Sequence, residues 1–369
     1  MPTTGKKAAS LYFHIPFCAK KCPYCHFYVI PNEKRFATLL TEGLFLEWEM
    51  QKHLLQNFEI VSIYFGGGTP TLYGAEAIGN LLSHIPISED CEITVEGNPE
   101  DGTLKLFQEL KQVGVNRISL GVQSLDDRSL AKLERTHSAK KAKEAIFAVK
   151  EANISNLSID LMYDLPDQTE SSWRFSLDVL QNLPIDHLSL YNLTIEPHTS
   201  FYRRKDTLRL PTPKASLNML ELGLERLDAL GLKRYEISAF ARPGFESRHN
   251  LGYWTFRPFL GLGPSAFSYW NNTRFQNISN IQRYVRMLRQ KTSPVHFSET
   301  LAPLDHVKER LAVELRLIAG TSLPQNLSPQ ILFSLAKLEQ EGLLTISGSN
   351  IRLTSRGMLF YDSVASDII

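Results

Sequence analysis

Three observations predict an α/β protein built on a partial (β/α)6 TIM-like barrel, followed by a smaller C-terminal α/β domain of winged-helix-like pattern. Six short, β-prone apolar runs alternate with longer helical patterns over residues 11–193, as expected of parallel strands joined by crossover helices. The chemically unusual residues fall at the carboxyl ends of those runs, where barrel-like α/β proteins keep their chemistry. Near residue 200 the pattern breaks, and from about Leu301 it becomes helix, helix and hairpin.

The runs are LYFHI, IVSIYF, CEITVE, RISLGV, LSIDLM and HLSLYNL. They are too evenly apolar for an antiparallel sheet with one wet face. Helices are predicted over Arg35–Gln56, Leu104–Val113, Lys140–Ala152 and Ser171–Gln181. Periodicity does not separate an open doubly wound sheet from a partly closed barrel; the placement of the unusual residues points to the barrel. Gly66 to Pro70 follow the second run, Glu96 ends the third, Gln123 follows the fourth, Asp160 sits in the fifth and Thr194 ends the sixth. Pro211 and Pro213 then introduce a helix through Leu230, ahead of a segment rich in glycine, proline and aromatics. In the last block, GLLTISGSNIRLTSRG places two β-prone runs around a Gly-Ser-Asn turn. The expected organisation is a barrel over 1–235, a connecting segment over 236–300 and a C-terminal domain over 301–369.

A chain of 369 residues exceeds what one hydrophobic core usually serves. Its 43% hydrophobic and 21% charged residues are those of an ordinary globular protein. With 40 lysines and arginines against 39 acidic residues, no global field draws nucleic acid or an anionic membrane. The C-terminal pattern lacks a basic recognition helix, so it reads as a packing or lid domain, with no nucleic-acid partner. No run of eighteen apolar residues suggests a membrane span. MPTTGKKAAS runs straight into LYFHIPFC without a leader-like apolar stretch, which predicts a cytoplasmic protein. Reducing conditions there favour metal or redox chemistry over disulfides for four cysteines, three of them clustered.

The cluster lies in FCAKKCPYCHFY, Phe17 to Tyr28. Cys22-Pro-Tyr-Cys25 spells a dithiol redox pair, and His26 extends it to a haem attachment signal. The first reading leaves Cys18 idle, and the second belongs to exported proteins. A Cys3His zinc site using His14 or His26 is chemically possible. Three thiolates spaced C-x3-C-x2-C can also hold a four-iron cluster with one iron left open to a small molecule. The glycine triplet of YFGGGTP, with Thr69, is a tight turn or a place for backbone groups to approach a ligand closely.

Together the Cys18, Cys22, Cys25 spacing and the glycine loop resemble the radical S-adenosylmethionine superfamily. That resemblance implies a 4Fe-4S cluster on the three cysteines and S-adenosylmethionine chelating its open iron, with reductive cleavage to a 5′-deoxyadenosyl radical. VEGNPE, SLGVQSLDD, LERTHS, IDLMYDLPDQT, SLYNLTIEPHTSFY, YEISAFARPG, HNLGYW and LGLGPSAFS narrow it to the oxygen-independent coproporphyrinogen III oxidase-like family, over nearly the whole chain. By that resemblance the adenosylmethionine contacts fall on Tyr12, Tyr24, Gly67, Gly68, Thr69, Glu96, Gln123, Arg135 and Asp160, with Thr194 and Phe267 at less distinctive positions. Glu96 has the chemistry to accept from ribose hydroxyls. Asp160, an acid in an apolar strand, needs a partner.

Within the family, the oxidase carries a fourth cysteine two residues after the third, where Phe27 stands here. Phe27 together with H-N-x-x-Y-W at His249–Trp254 resembles the HemW branch, whose members bind haem and are implicated in its delivery. His249 is then the expected haem contact, with haem-accepting proteins and an electron donor as partners. The alternatives are coproporphyrinogen oxidation and, less in keeping with Cys18, thiol-disulfide exchange. Cys91 reads as a packing residue, and His14 and His137 as locally structural. His26, Phe245, Asp164 and Asp167 depart from the family pattern, the two aspartates standing where MYGLPGQT has glycines.

Overall fold

The structure, a computed structural model, describes residues 5–325 and 327–369. Six parallel strands form its centre: β1 (Lys7–Ile15), β2 (Phe58–Gly67), β3 (Glu92–Gly97), β4 (Arg117–Gln123), β5 (Asn156–Tyr163) and β6 (His187–Asn192). Each pairs with the next in chain order. A doubly wound sheet would reverse that order part-way; here every crossover steps the same way, the winding of a barrel. The sheet does not close, and its two ends are separate edge strands.

Alternation within the strands explains the two faces. Leu11, Phe13, Ile63 and Phe65 point into the main core and are at most 1% exposed. Their neighbours Ser10, Tyr12, Ser62 and Tyr64 share the opposite face, where polar groups meet one another. The helix predicted from Arg35 runs over Lys34–Gln51 and then tightens into a 3-10 turn over Lys52–Leu55. The other predicted helices appear as Leu104–Gln112, Ala139–Glu151, Glu170–Leu180 and Pro213–Ala229.

The glycine- and aromatic-rich segment supplies five strands to the same sheet. β7 (Ala239–Ala241) runs antiparallel to β6. β8 (Phe259–Leu262) pairs parallel to β1, and β9 (Phe267–Trp270), β10 (Thr273–Asn277) and β11 (Val295–Thr300) continue antiparallel. Glu47, fully buried, holds this extension: it accepts from Tyr284 Oη (2.6 Å), Asn277 Nδ2 (2.7 Å) and the Gly263 amide (2.8 Å). Burial pushes its carboxyl up to about 7, and these donors hold it against that penalty.

Residues beyond Leu301 form a second core around Leu311, Leu315, Ile331, Leu335, Leu344, Ile351 and Val364. Strands Leu344–Ser347 and Asn350–Leu353 make the expected hairpin, its turn opened by Gly348 at φ 58°. Two further helices, Ser355–Leu359 and Tyr361–Ile368, complete the domain. Contact with the barrel runs through the Arg316–Glu236 ion pair (3.3 Å) and Arg316 stacked over Trp254 at 4.3 Å.

Candidate functional site

The loop after β1 carries the three thiols to the carboxyl ends of the strands. Its fold is set by backbone bonds: Thr69 N donates to Phe17 O (2.6 Å), Ile30 N to Pro16 O (2.8 Å) and Cys25 N to Cys22 O (3.1 Å). Phe201, itself buried, closes the far side by donating its amide to Pro23 O (2.9 Å) and packing on Tyr24 at 6.1 Å. The glycines explain how close this loop comes to β2. A Cβ on Gly68 would stand 2.5 Å from Phe17 O, and Gly67, at φ 112°, faces the His14 ring. Glycine is thus required here to seat the thiol loop.

Three side chains link two of the thiols. Thr69 Oγ1 lies 3.6 Å from Cys18 Sγ and accepts from Asn98 Nδ2 (2.9 Å). Asn98 Oδ1 accepts from Arg135 Nη2 (2.6 Å), and Arg135 Nη1 reaches Cys22 Sγ at 3.3 Å. Arg135 also donates to Gly121 O (3.0 Å), which fixes the guanidinium beside the loop. Asn98 went unmarked in the sequence, although VEGNPE contains it; its signal is position, two residues beyond Glu96.

Deeper in the barrel, Glu96 accepts from Tyr64 Oη (2.7 Å) and from the Gly67 amide (3.2 Å). Burial raises its carboxyl to about 7, with Asp160 adding to the effect. Asp160 is raised to about 6 by burial and finds its partners in the Ser189 and Ser119 hydroxyls. Tyr12 stacks on Tyr64 at 6.3 Å, and its hydroxyl meets His14 Nδ1 at 3.0 Å. Tyr12, Gly67, Gly68, Thr69, Glu96, Arg135 and Asp160 are therefore gathered with the thiols at one end of the barrel. Gln123 ends β4 at φ 63° beside a break in strand register, an unusual backbone state for a side-chain-bearing residue. Thr194 is exposed beyond β6, and Phe267 is 48% exposed on β9. Neither makes a side-chain hydrogen bond or ring contact with this group among the described residues.

The donor set fits a cluster better than a single ion. Cys18, Cys22 and Cys25 are free, partly buried thiols. Among the described residues no three Cys, His, Asp or Glu side chains converge on one point suited to a mononuclear metal. A cluster asks for less convergence, because each thiolate binds a different iron. Burial pushes the Cys18 thiol up to about 11, so a cation is needed to draw off its proton. The dithiol reading loses the helix start it expects: Cys22 and Cys25 flank a turn, and the first helix begins at Lys34. Cys91 is 1% exposed. His26 is exposed and leans on Phe27 at 4.6 Å. His137 is held by Glu100 (2.9 Å) and Val122 O (3.1 Å).

His249 lies on the same inner face but in a sealed position. It is 1% exposed and sits 4.9 Å from the Tyr64 ring. Ser62 donates its one hydroxyl proton to Ser10 Oγ (2.8 Å), so His249 Nδ1 must donate to Ser62 (3.0 Å). That tautomer leaves the lone pair on Nε2, where Tyr253 Oη donates to it at 2.8 Å. Burial first, then Arg257 and Arg117, lowers this imidazole to about 3, so it is neutral. Asp164 and Asp167, which replace family glycines, adopt φ 62° and 59°, the left-handed conformation those glycines would allow.

The Radical SAM superfamily matches over residues 12–180, and the HemN C-terminal domain over residues 301–360. Heme chaperone HemW of Bacillus subtilis is 33% identical, spanning 96% of this chain and 97% of its own. Heme chaperone HemW of Mycobacterium tuberculosis is 32% identical over 97% and 94%. Coproporphyrinogen III oxidase (HemN) of Escherichia coli, a radical SAM enzyme, superimposes with a TM-score of 0.86 over 98% of this chain and 90% of that one, at 24% identity, which establishes a shared fold. With near end-to-end relatives above 30% identity, the chain belongs to the HemW family within the radical SAM superfamily.

Proposed function

We propose that this protein is a haem-binding chaperone that carries a 4Fe-4S cluster and S-adenosylmethionine and passes haem to haem-requiring proteins. The observation that carries the reading is the end-to-end relationship to heme chaperone HemW of Bacillus subtilis, set against a likeness to the oxidase that is one of fold. Phe27 supports it: a 53% exposed phenyl ring stands where the oxidase pattern has a fourth thiol.

Cys18, Cys22 and Cys25 would hold the cluster, which supplies a one-electron reductant and an open coordination position when bound. Tyr12, Tyr24, Gly67, Gly68, Thr69, Glu96, Gln123, Arg135 and Asp160 would surround the adenosylmethionine, with Thr194 and Phe267 at its periphery. In that role Glu96 accepts hydrogen bonds, and Asn98 and Arg135 hold the loop in place. An electron donor and a haem acceptor are required partners. His249 as the iron contact requires its ring first to give up Tyr253. No helix among the described residues is long and apolar enough to cross a membrane.

The test is a hemin titration of the cluster-loaded protein beside an anaerobic coproporphyrinogen III assay with adenosylmethionine and a reductant. Stoichiometric hemin binding without decarboxylated product is expected. Product formation without hemin binding would overturn the proposal in favour of the oxidase.

A further inference from the structure

The thiol loop is thin. Ala19, Lys20, Lys21, His26 and Phe27 are exposed, and the three cysteines interleaved with them are part-buried, so a group held by the thiols lies close to the outer surface. Electron transfer falls off steeply with distance. A partner that reduces such a group must therefore come up to this face.

The face is basic. The segment that follows Thr199 lies against the loop: Phe201 N donates to Pro23 O (2.9 Å), and Glu134 accepts from both Lys20 Nζ (3.5 Å) and Arg204 Nη2 (2.5 Å). Lys20 and Lys21 of the loop and Arg203, Arg204, Lys205 and Arg209 of the segment are all exposed. Against these six cations stand two carboxylates, Glu134 and Asp206. Asp167 is paired with Lys132, and Glu100 is turned to His137 and Thr136. Among the described residues none of Lys21, Arg203, Lys205 and Arg209 pairs with a carboxylate; Lys21 Nζ donates to Phe27 O (3.1 Å), and Lys205 lies over the Tyr202 ring at 5.0 Å. With the whole chain at +1, the positive excess is local to this collar.

Two aromatic rings stand at the surface beside these cations, Phe27 at 53% exposure and Tyr202 at 42%. Nucleic acid is drawn by a field spread over a whole domain, which a nearly balanced chain lacks. A patch confined to the thiol loop and its neighbour matches a partner whose target is the cluster. Electron-transfer partners meet through small, weak interfaces, below about 1,200 Å², and rely on complementary charge to steer their encounter.

Resting on the cluster assignment within the chaperone reading, we propose that this basic collar is the docking surface for the electron donor, an acidic one-electron carrier protein. The reduced carrier gives one electron and the oxidised cluster takes it, with no proton transferred and no bond made or broken. For a flavin carrier the hydroquinone anion becomes the neutral semiquinone.

The probe is an acidic flavodoxin in its hydroquinone state, mixed anaerobically with cluster-loaded protein, the reduced cluster being counted by freeze-quench EPR. Wild type is compared with an Arg203→Glu, Lys205→Glu double variant. The charge control is Lys111→Glu, Arg352→Glu, two exposed cations at the end of the helix before β4 and in the C-terminal hairpin. At low ionic strength the collar variant should be reduced at least about tenfold more slowly than wild type, as loss of steering implies. In about 0.5 M salt the gap should close to about twofold. The control should stay within about twofold of wild type throughout. Iron and sulfide content, and reduction by photoreduced deazariboflavin, a small neutral reductant, should be the same in all three. Carbodiimide coupling of flavodoxin carboxylates to the wild-type chain should place cross-links at Lys20, Lys21 or Lys205. No reduction of wild type by flavodoxin, equal rates in the collar variant, equal slowing in the control, or cross-links confined to other lysines overturns the docking surface while the chaperone reading stands. Oligonucleotide binding that only the collar variant loses, with flavodoxin rates unchanged, would give the collar to nucleic acid instead. A wild type that assembles no cluster overturns the cluster assignment itself.

Discussion

The strand-end site and the lateral cavity lie in one barrel and are built from opposite chemistry. At the strand ends polar side chains are linked to one another: Cys22, Arg135, Asn98, Thr69 and Cys18 form one connected set, and Glu96 is held by Tyr64 and Gly67. The cavity, between β8, β9 and the Arg248–Trp254 and Pro303–Glu314 helices, is aromatic, and its two arginines already have partners, Arg274 in Glu299 and Glu309 and Arg257 in Ser10 Oγ and Arg248 O. Two histidines mark the contrast. The Nε2 of His249 is occupied by Tyr253, whereas among the described residues the ring nitrogen of His306 with a partner is Nδ1, at Tyr269. A pre-tied polar cradle suits a charged cofactor.

The largest effect that would sharpen this contrast is loss of the cluster. Changing Cys18, Cys22 or Cys25 to alanine should abolish iron and sulfide incorporation under anaerobic reconstitution, whereas Cys91→Ala, a buried thiol outside the site, should retain full content. Full content in the Cys18 variant would remove that cysteine from the site.

Next is the polar cradle itself. Arg135→Ala strands Asn98 Oδ1 and Gly121 O, and a buried group left unpaired costs about 1–3 kcal/mol. Denaturant unfolding should show a loss of that size. An unchanged midpoint would mean that the network carries little.

Glu96 sets a pH dependence. Its folded value of about 7 lies above the ordinary 4.5, so the cofactor-free protein should lose stability from this group as pH rises from about 4.5 to about 7. Below that window the carboxyl is protonated in both states, and above it both are ionised. Tyr64, Asp160, Tyr12 and Arg117 face the same carboxyl. Adenosylmethionine, whose ribose hydroxyls would donate to the carboxylate, should bind about tenfold better at pH 8 than at pH 6 from the ionised fraction alone. Glu96→Gln should flatten that component; an equally steep profile in the variant would assign it elsewhere.

The smallest effect concerns the loop after β5. Asp164 is anchored by Ser216 (2.6 Å) and Asp167 by Lys132, so the anchors offset the cost of their left-handed backbones. Restoring glycine at either should change stability by less than about 1 kcal/mol.

Much of the barrel was legible because its strands are continuous apolar runs and pair in chain order. The five strands of residues 239–300 were not, because β8 pairs with β1 from about 250 residues away and no local pattern encodes that partner. The helices after the C-terminal hairpin were hidden by Gly357, which reads as a breaker. A Cβ there would stand 1.7 Å from Leu343 O, so the glycine is a packing requirement. At the site, cysteine and glycine spacing is local and readable. Ser62 matters through contacts with distant residues and nothing local marks it, while Asn98 and Tyr253 lie inside readable motifs that do not say what their side chains touch. His249 shows the limit most plainly: its motif is readable, and the occupation of its Nε2 is not.

The central claim is that cofactor and haem occupy separate places. Its most direct test is hemin titration of the cluster-free Cys18→Ala, Cys22→Ala double variant beside wild type. Separate sites predict one hemin per chain in both, with the same Soret band. Loss of hemin binding with the cysteines would put the haem on the thiol loop and contradict the account.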